Sequence, residues 1–136
     1  KGAALLEITG SGKSFAARAI WENINMKNKF NSSVLYEGNV YGLDEGILTC
    51  LDVNTGARKW KGGRYGYGQV ILASGHLIVM SDTGELALVK ATPREYSEIS
   101  RFPALEGKTW NYPALAGGRL FVRNANQMAA YNIAAQ

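Results

Sequence analysis

The fold of this chain is set by a short pattern that occurs three times, as Glu37-Gly38-Asn39-Val40-Tyr41, Ser74-Gly75-His76-Leu77-Ile78-Val79 and Gly117-Gly118-Arg119-Leu120-Phe121-Val122. In each copy a Gly and a polar residue separate two apolar runs, which is typical of a tight β-hairpin turn with positive φ angles. The aligned glycines at positions 38, 75 and 118 lie 37 and 43 residues apart. The sequence therefore predicts a repeat of β-hairpins with a period of about 40 residues.

Each repeat extends on both sides of its hairpin. A second turn follows at 44–46, 82–84 and 124–126, and each of these turns begins with Asp or Asn and ends with Gly or Asn. Upstream, an apolar strand begins five residues before each aligned glycine, and an aromatic residue (Trp21, Trp60 or Phe102) ends the preceding unit. Four short strands in about 40 residues are typical of a β-propeller blade. We therefore predict an all-β fold in which each four-stranded antiparallel meander is one blade.

Counting strands in this register gives a single partial, open β-propeller over residues 1–136. Residues 1–22 end one blade, 33–60 and 69–102 form two complete blades, and 112–133 form a three-stranded blade. This makes about three blades, whereas closed propellers have about four to eight. Because unpaired strand edges invite pairing, the expected partner is either the remainder of a larger propeller or a second copy of the chain. An alternative for residues 15–24 is a short amphipathic helix capped by Ser14.

Composition excludes several classes of protein. The chain has 136 residues, a formal net charge of +4 and 46% hydrophobic residues. Disorder is not expected at this hydrophobic content, and no apolar run approaches the roughly 18 residues of a membrane span. Basic residues form small separate clusters, at 27–29 and 58–64, with acidic residues between them, so no nucleic-acid partner is expected. A P-loop at residues 8–14 is excluded because Glu7 stands where the phosphate-binding pattern needs a Gly.

The most specific motif is Cys50-Leu51-Asp52-Val53-Asn54-Thr55-Gly56-Ala57-Arg58-Lys59-Trp60. Asp52 is expected to accept hydrogen bonds from backbone N–H groups just after it, and Gly56 supplies the left-handed residue that turns the chain. Trp60 offers a large flat surface for packing against the neighbouring blade. The stretch resembles the tryptophan-docking motif of the pyrroloquinoline-quinone-like (PQQ-like) propeller repeat, small-x-Asp-x-x-Thr-Gly-x-x-x-Trp. Asp52, Thr55, Gly56 and Trp60 match that motif, and the resemblance implies that they have a structural docking role.

The resemblance also carries implications for function. The non-enzymatic branch of the family, which includes an outer-membrane assembly lipoprotein, implies a non-catalytic scaffold or binding module in the periplasm or outside the cell. The quinone-dependent dehydrogenases of the family hold a quinone with a calcium ion through Glu, Asn and catalytic Asp residues. Cys50 is the only Cys, and no segment reproduces that context, so we expect no cofactor, no metal and no catalytic residue. The alternative is the C-terminal part of a quinone- and calcium-dependent oxidoreductase whose catalytic residues lie outside this chain.

The segments that enter the innermost strands of propeller blades usually face the mouth of the axis. Here they are residues 29–32, 64–69 and 109–112, whose aromatic rings, amides and basic groups suit a protein or glycan ligand. The alternative is that the aromatic residues of these segments only fill space between blades. The predicted ligand-binding residues are Lys29, Phe30, Asn31, Arg64, Tyr65, Tyr67, Trp110, Asn111 and Tyr112.

Overall fold

β-Strands account for all the regular secondary structure of residues 2–133, the part of the chain that a computed structural model describes. Thirteen strands follow one another along these residues, and no helix lies among them. The predicted all-β fold class is confirmed. The strands are β1 (Ala3–Ser11), β2 (Ser14–Asn23), β3 (Val34–Tyr36), β4 (Asn39–Asp44), β5 (Ile47–Asp52), β6 (Arg58–Arg64), β7 (Gln69–Ala73), β8 (His76–Met80), β9 (Glu85–Lys90), β10 (Glu98–Pro103), β11 (Ala114–Ala116), β12 (Arg119–Arg123) and β13 (Met128–Asn132).

The strands form antiparallel sheets in which each strand pairs with its neighbours in sequence. β1 and β2 form a hairpin, β3–β6 and β7–β10 form two four-stranded meanders, and β11–β13 form a three-stranded meander. The predicted four-stranded meanders are therefore present. The helix considered for residues 15–24 is wrong, because β2 pairs with β1 along its whole length, from Ser14 opposite Ser11 to Asn23 opposite Ala3. This ladder satisfies the backbone groups that a helix would otherwise have paired internally.

The hairpin turns that define the repeat share one backbone conformation. Their central residues have positive φ angles, namely 44° and 72° at Glu37 and Gly38, 46° and 71° at Ser74 and Gly75, and 55° and 70° at Gly117 and Gly118. Two successive positive φ angles match the right-handed twist of the flanking strands. The prediction of tight hairpins with positive φ at these three places is therefore confirmed.

The third sheet, β7–β10, contributes buried side chains to a core on each of its faces, whereas its edge strand β10 is mainly exposed. Along β8, Leu77 and Val79 belong to a core shared with β3–β6, whereas Ile78 and Met80 belong to a core shared with β11–β13. This follows from the alternation of side chains across a strand. Two apolar cores therefore hold three successive sheets together.

The two terminal sheets each keep an exposed apolar face. On the β1–β2 hairpin, Leu6, Ile8 and Phe15 are 52%, 62% and 77% exposed. On the β11–β13 sheet, Leu120 and Val122 are buried, whereas Phe121 between them is exposed. The β11–β13 sheet is therefore covered on one face only, whereas no residue of β1 or β2 is buried and this hairpin is exposed on both faces along most of its length.

Candidate functional site

Three aromatic residues from equivalent positions of the repeat meet in one cluster, which we call the aromatic rim: Phe30, Tyr67 and Trp110. The Phe30 and Trp110 rings stack with their centroids 5.9 Å apart and an interplanar angle of 12°. Tyr67 lies edge-on to both, with centroid distances of 6.0 Å to Phe30 and 5.6 Å to Trp110. Residues separated by 37 and 43 positions in the sequence therefore form one surface.

Gln69, the first residue of β7, connects two segments of the rim by hydrogen bonds. Its side chain is 1% exposed, and its Nε2 donates to the carbonyl oxygens of both Phe30 and Trp110 at 3.1 Å. We call these two Gln69 hydrogen bonds the Gln69 clip. In addition, the backbone N–H of Ser32 donates to the Tyr112 hydroxyl oxygen. The segments that precede β3, β7 and β11 are thus joined by polar contacts as well as by ring contacts.

The rings of the rim remain open to solvent. Phe30 is 77% exposed, Tyr67 39% and Trp110 42%. Phe30 also has a φ angle of 58°, in the left-handed region, which costs a residue with a Cβ on the order of 1–2 kcal/mol. Phe30 therefore combines a left-handed backbone with a ring that stays mostly exposed beside its two aromatic neighbours.

Two lysines lie against the rim. Lys108 Nζ is 3.4 Å from the centroid of the Trp110 ring, and Lys29 Nζ is 5.9 Å from that of Tyr67. An open cavity of about 470 Å³ lies beside the Tyr67 and Trp110 rings, which contact each other, and Asp82 there accepts a hydrogen bond from the Tyr67 backbone N–H at 3.0 Å. The cavity is lined by Tyr67, Asp82, Thr83, Gly107, Lys108 and Trp110.

The structure brings most, but not all, of the predicted ligand-binding residues to this surface. Lys29, Asn31 and Tyr112 contact the same segments, and Asn111 follows Trp110 directly. Asn31 Nδ2 donates to the Lys29 carbonyl at 2.7 Å, and Asn31 Oδ1 accepts from Asn28 Nδ2 at 2.9 Å. Lys108, Asp82 and Gln69 were missing from the predicted set, because the repeats share the aromatic position but not these side chains.

Arg64 and Tyr65 lie apart from the rim. Arg64 ends β6, and its carbonyl faces the Arg101 guanidinium at 3.5 Å. Tyr65 is 1% exposed and belongs to the core between β3–β6 and β7–β10. Its place in the core explains why an aromatic residue here does not reach the aromatic rim.

The hydroxyl of Tyr65 takes part in a partly exposed polar network that we call the Glu98 network. The Tyr65 and Tyr96 hydroxyls lie 2.8 Å apart, and both donate to Glu98 Oε2, at 2.7 and 2.6 Å. Arg101 Nη2 donates to the same oxygen at 2.7 Å, and the guanidinium lies 4.6 Å from the Tyr65 ring centroid. The Arg101 hydrogen bond, followed by those from the two tyrosines, lowers the pKa of Glu98 to about 2 despite its partial burial.

The docking motif makes contacts in both directions along the chain. Trp60 Nε1 donates to the Thr92 carbonyl in the third sheet at 2.7 Å, and the Trp60 side chain is 8% exposed. In the same way, Trp21 Nε1 of the β1–β2 hairpin donates to the Val53 carbonyl at 2.8 Å. The loop between β5 and β6 therefore receives Trp21, while the Trp60 of its own motif reaches the next sheet.

Asp52 and Gly56 shape the loop that receives Trp21. Asp52 Oδ1 accepts from the backbone N–H groups of Asn54 and Thr55 at 3.0 and 3.1 Å. Gly56 has a φ angle of 68°, and a Cβ built there would lie 2.7 Å from the Trp21 ring. Left-handed conformation and close approach of the ring both require Gly at this position.

Residues 2–133 contain no group of three or more His, Cys, Asp or Glu side chains that could hold a metal ion. Cys50 is buried, and burial raises the pKa of its thiol to about 11. No helix of the described chain has the length and apolar character that a membrane span requires.

Successive four-stranded meanders that pack face to face and stay open at both ends define this fold as a partial β-propeller. A solved structure of BamB from Moraxella catarrhalis is similar to it, with a TM-score of 0.69 and 14% sequence identity over 97% of this chain and 47% of that chain. The chain thus spans about half the length of the solved chain it matches. At this identity the similarity shows the fold alone. Neither the family models nor the curated proteins that were compared match the sequence.

Proposed function

We propose that this chain is a non-catalytic β-propeller scaffold that binds a protein or glycan ligand at the aromatic rim. The observation that carries the proposal is the meeting of Phe30, Tyr67 and Trp110 in one exposed cluster built from three separate sheets. Exposed aromatic patches on a soluble protein mark contact sites more often than inert surface. The β-propeller fold, which the solved BamB structure shares, supports a scaffold or binding role.

We further propose that a protein surface covers the apolar faces of the terminal sheets. The β1–β2 sheet has only two strands, and the β11–β13 sheet has three, so each offers backbone groups for further pairing. The exposed Leu6, Ile8 and Phe15 lie on the first of these sheets. The covering surface is either the remainder of a larger propeller or a second copy of this chain.

The binding role can be tested with a panel of short peptides and oligosaccharides. Tryptophan fluorescence reports on binding, since Trp110 is 42% exposed whereas Trp60 is 8% exposed. At least one class of ligand should change the emission of the wild-type chain, and the Trp110→Phe variant should lose most of that change. If no ligand alters the emission, or if the intact protein carries a bound quinone with its characteristic absorbance, the proposal is wrong.

A further inference from the structure

The chemistry of the rim points to the class of its ligand. We infer that the aromatic rim recognises an extended, acidic peptide segment of a partner protein. One apolar side chain of that peptide packs in the open cavity against the exposed parts of the Tyr67 and Trp110 rings, and the carboxylates of the peptide pair with Lys29 and Lys108. This inference rests on the binding role proposed above and narrows its ligand from two classes to one.

The cavity supplies the apolar half of the recognition. It is an open depression of about 470 Å³, and the Tyr67 and Trp110 rings form part of its lining. These rings are 39% and 42% exposed without a ligand, so an apolar side chain that packs against them would remove aromatic surface from water.

The lysines supply the charged half. Neither Lys29 nor Lys108 forms a salt bridge within residues 2–133. By contrast, Lys27 and Lys61 are both paired with Asp44. The carboxylate that lines the cavity, Asp82, already accepts a hydrogen bond from the Tyr67 backbone. Two ammonium groups without a carboxylate partner beside exposed rings favour an anionic, partly apolar ligand.

The amides of the rim offer a neutral glycan few free groups. A sugar is recognised by hydrogen bonds to its hydroxyl groups, which need accessible donors and acceptors that are not already in use. Gln69 Nε2 donates to the Phe30 and Trp110 carbonyls, and the Asn31 amide is bonded to Lys29 and Asn28. Gln69 Oε1 has no partner, but it is buried. A peptide that offers carboxylates to the lysines and an apolar side chain to the exposed ring surface fits these groups better.

The rim is also organised in advance of binding. The Gln69 clip fixes two of its segments, and Phe30 is held at a φ of 58° although its ring is 77% exposed. Strained residues of this kind persist where the surrounding structure determines them, and they cluster at ligand contacts. A rim already in its binding conformation loses less entropy when the peptide docks.

The test is a fluorescence anisotropy titration with the full chain and a fluorescein-labelled peptide that has one central Phe flanked by Glu residues. Three comparison ligands separate the contributions: the same peptide with Lys for Glu, the same peptide with Ala for Phe, and an unlabelled neutral oligosaccharide as competitor. The protein variants are Lys29→Glu with Lys108→Glu, and the control Lys13→Glu, which changes an exposed lysine in the β1–β2 turn.

We expect the acidic peptide to bind, and the double Lys→Glu variant to weaken its binding about tenfold or more while Lys13→Glu leaves it within about twofold. Binding should also weaken as salt rises, because exposed charges are screened. Equal binding of the Lys-containing peptide, or selective displacement by the oligosaccharide, would contradict the acidic-peptide assignment but leave the rim as a binding site. Absence of binding by every ligand would contradict the proposed function as well.

Discussion

Trp60 and Trp110 both belong to the repeat, yet their surroundings differ. Trp60 is 8% exposed and packs against Tyr41 and Tyr96, with ring centroids 5.9 Å apart in each pair. Trp110 is 42% exposed and contacts residues of the rim. At the scale of the residue, the same side chain therefore stabilises the fold at one position and forms a surface at the other.

Replacing Trp60 by Ala should lower the free energy of unfolding by about 3–5 kcal/mol, because it leaves a cavity and removes the hydrogen bond to Thr92. The Trp110→Ala variant should lose less than about half of that amount, because its ring is partly solvated already. Urea unfolding followed by circular dichroism measures both values. An equal loss of unfolding free energy in the two variants would show that Trp60 and Trp110 contribute equally to stability, contrary to this account.

Glu98 gives the fold a defined response to acid. Its pKa lies at about 2 in the folded chain instead of its ordinary 4.5, so its contribution to stability is complete above about pH 4.5 and disappears as the pH falls towards 2. The Glu98→Gln variant should be less stable than the wild type by roughly 1–3 kcal/mol near pH 7. That difference should shrink between pH 4.5 and 2. A difference that is constant over this range would show that the carboxylate charge has no such role.

At the scale of the element, the hairpins and the packing of Trp60 against the next sheet were predictable, whereas the groups that meet between sheets were not. Glycines and Asn or Asp residues mark turns through local backbone chemistry, which one sequence displays directly. The Glu98 network depends on a β-bulge between Glu98 and Ser100, which lets Glu98 and Arg101 act together although simple alternation would separate them. Trp60 Nε1 donates to the backbone carbonyl of Thr92. The sequence does not indicate which residue accepts this bond, because every residue has a backbone carbonyl.

The Gly56→Ala variant tests how tightly Trp21 of the first sheet packs on the second sheet. Changing it to Ala should destabilise the chain by more than Gly38→Ala does, by about 1 kcal/mol or more. Both positions have similar φ angles, 68° and 72°, and therefore share the backbone cost. Only at Gly56 would the new Cβ meet the Trp21 ring, since nothing lies within 4 Å of a Cβ at Gly38. Equal losses in a thermal or urea unfolding experiment would mean that Trp21 does not dock tightly.

At the scale of the whole molecule, the exposed faces of the terminal sheets predict association. The repeat fixed the fold class, but one chain cannot show which surface covers Leu6, Ile8 and Phe15. Light scattering after size exclusion should give a mass above that of a single 14.7 kDa chain. Changing Ile8 to Lys should move the distribution towards the monomer, whereas Lys13→Glu should not. A stable wild-type monomer would contradict self-association of the chain as it stands.

The repeat also made part of the aromatic rim predictable. Equivalent places in the repeat identified Phe30, Tyr67 and Trp110, since residues at one repeat position share a place in the blade. Tyr65 was placed at the surface by its neighbours in sequence, whereas it lies in the core. Lys108 and Gln69 have no counterparts in the other repeats, so only the folded chain brings them to the rim.

Hydrogen exchange with and without the acidic peptide tests the central claim most directly, namely that three sheets present one binding rim. We expect slower exchange in residues 28–33, 65–69 and 107–112 together, with no change in the β1–β2 turn. Loss of this protection in the Lys29→Glu, Lys108→Glu double variant would identify the same surface. Protection that appears only in β1 or β13, or in one of the three segments alone, would contradict a rim assembled from three sheets.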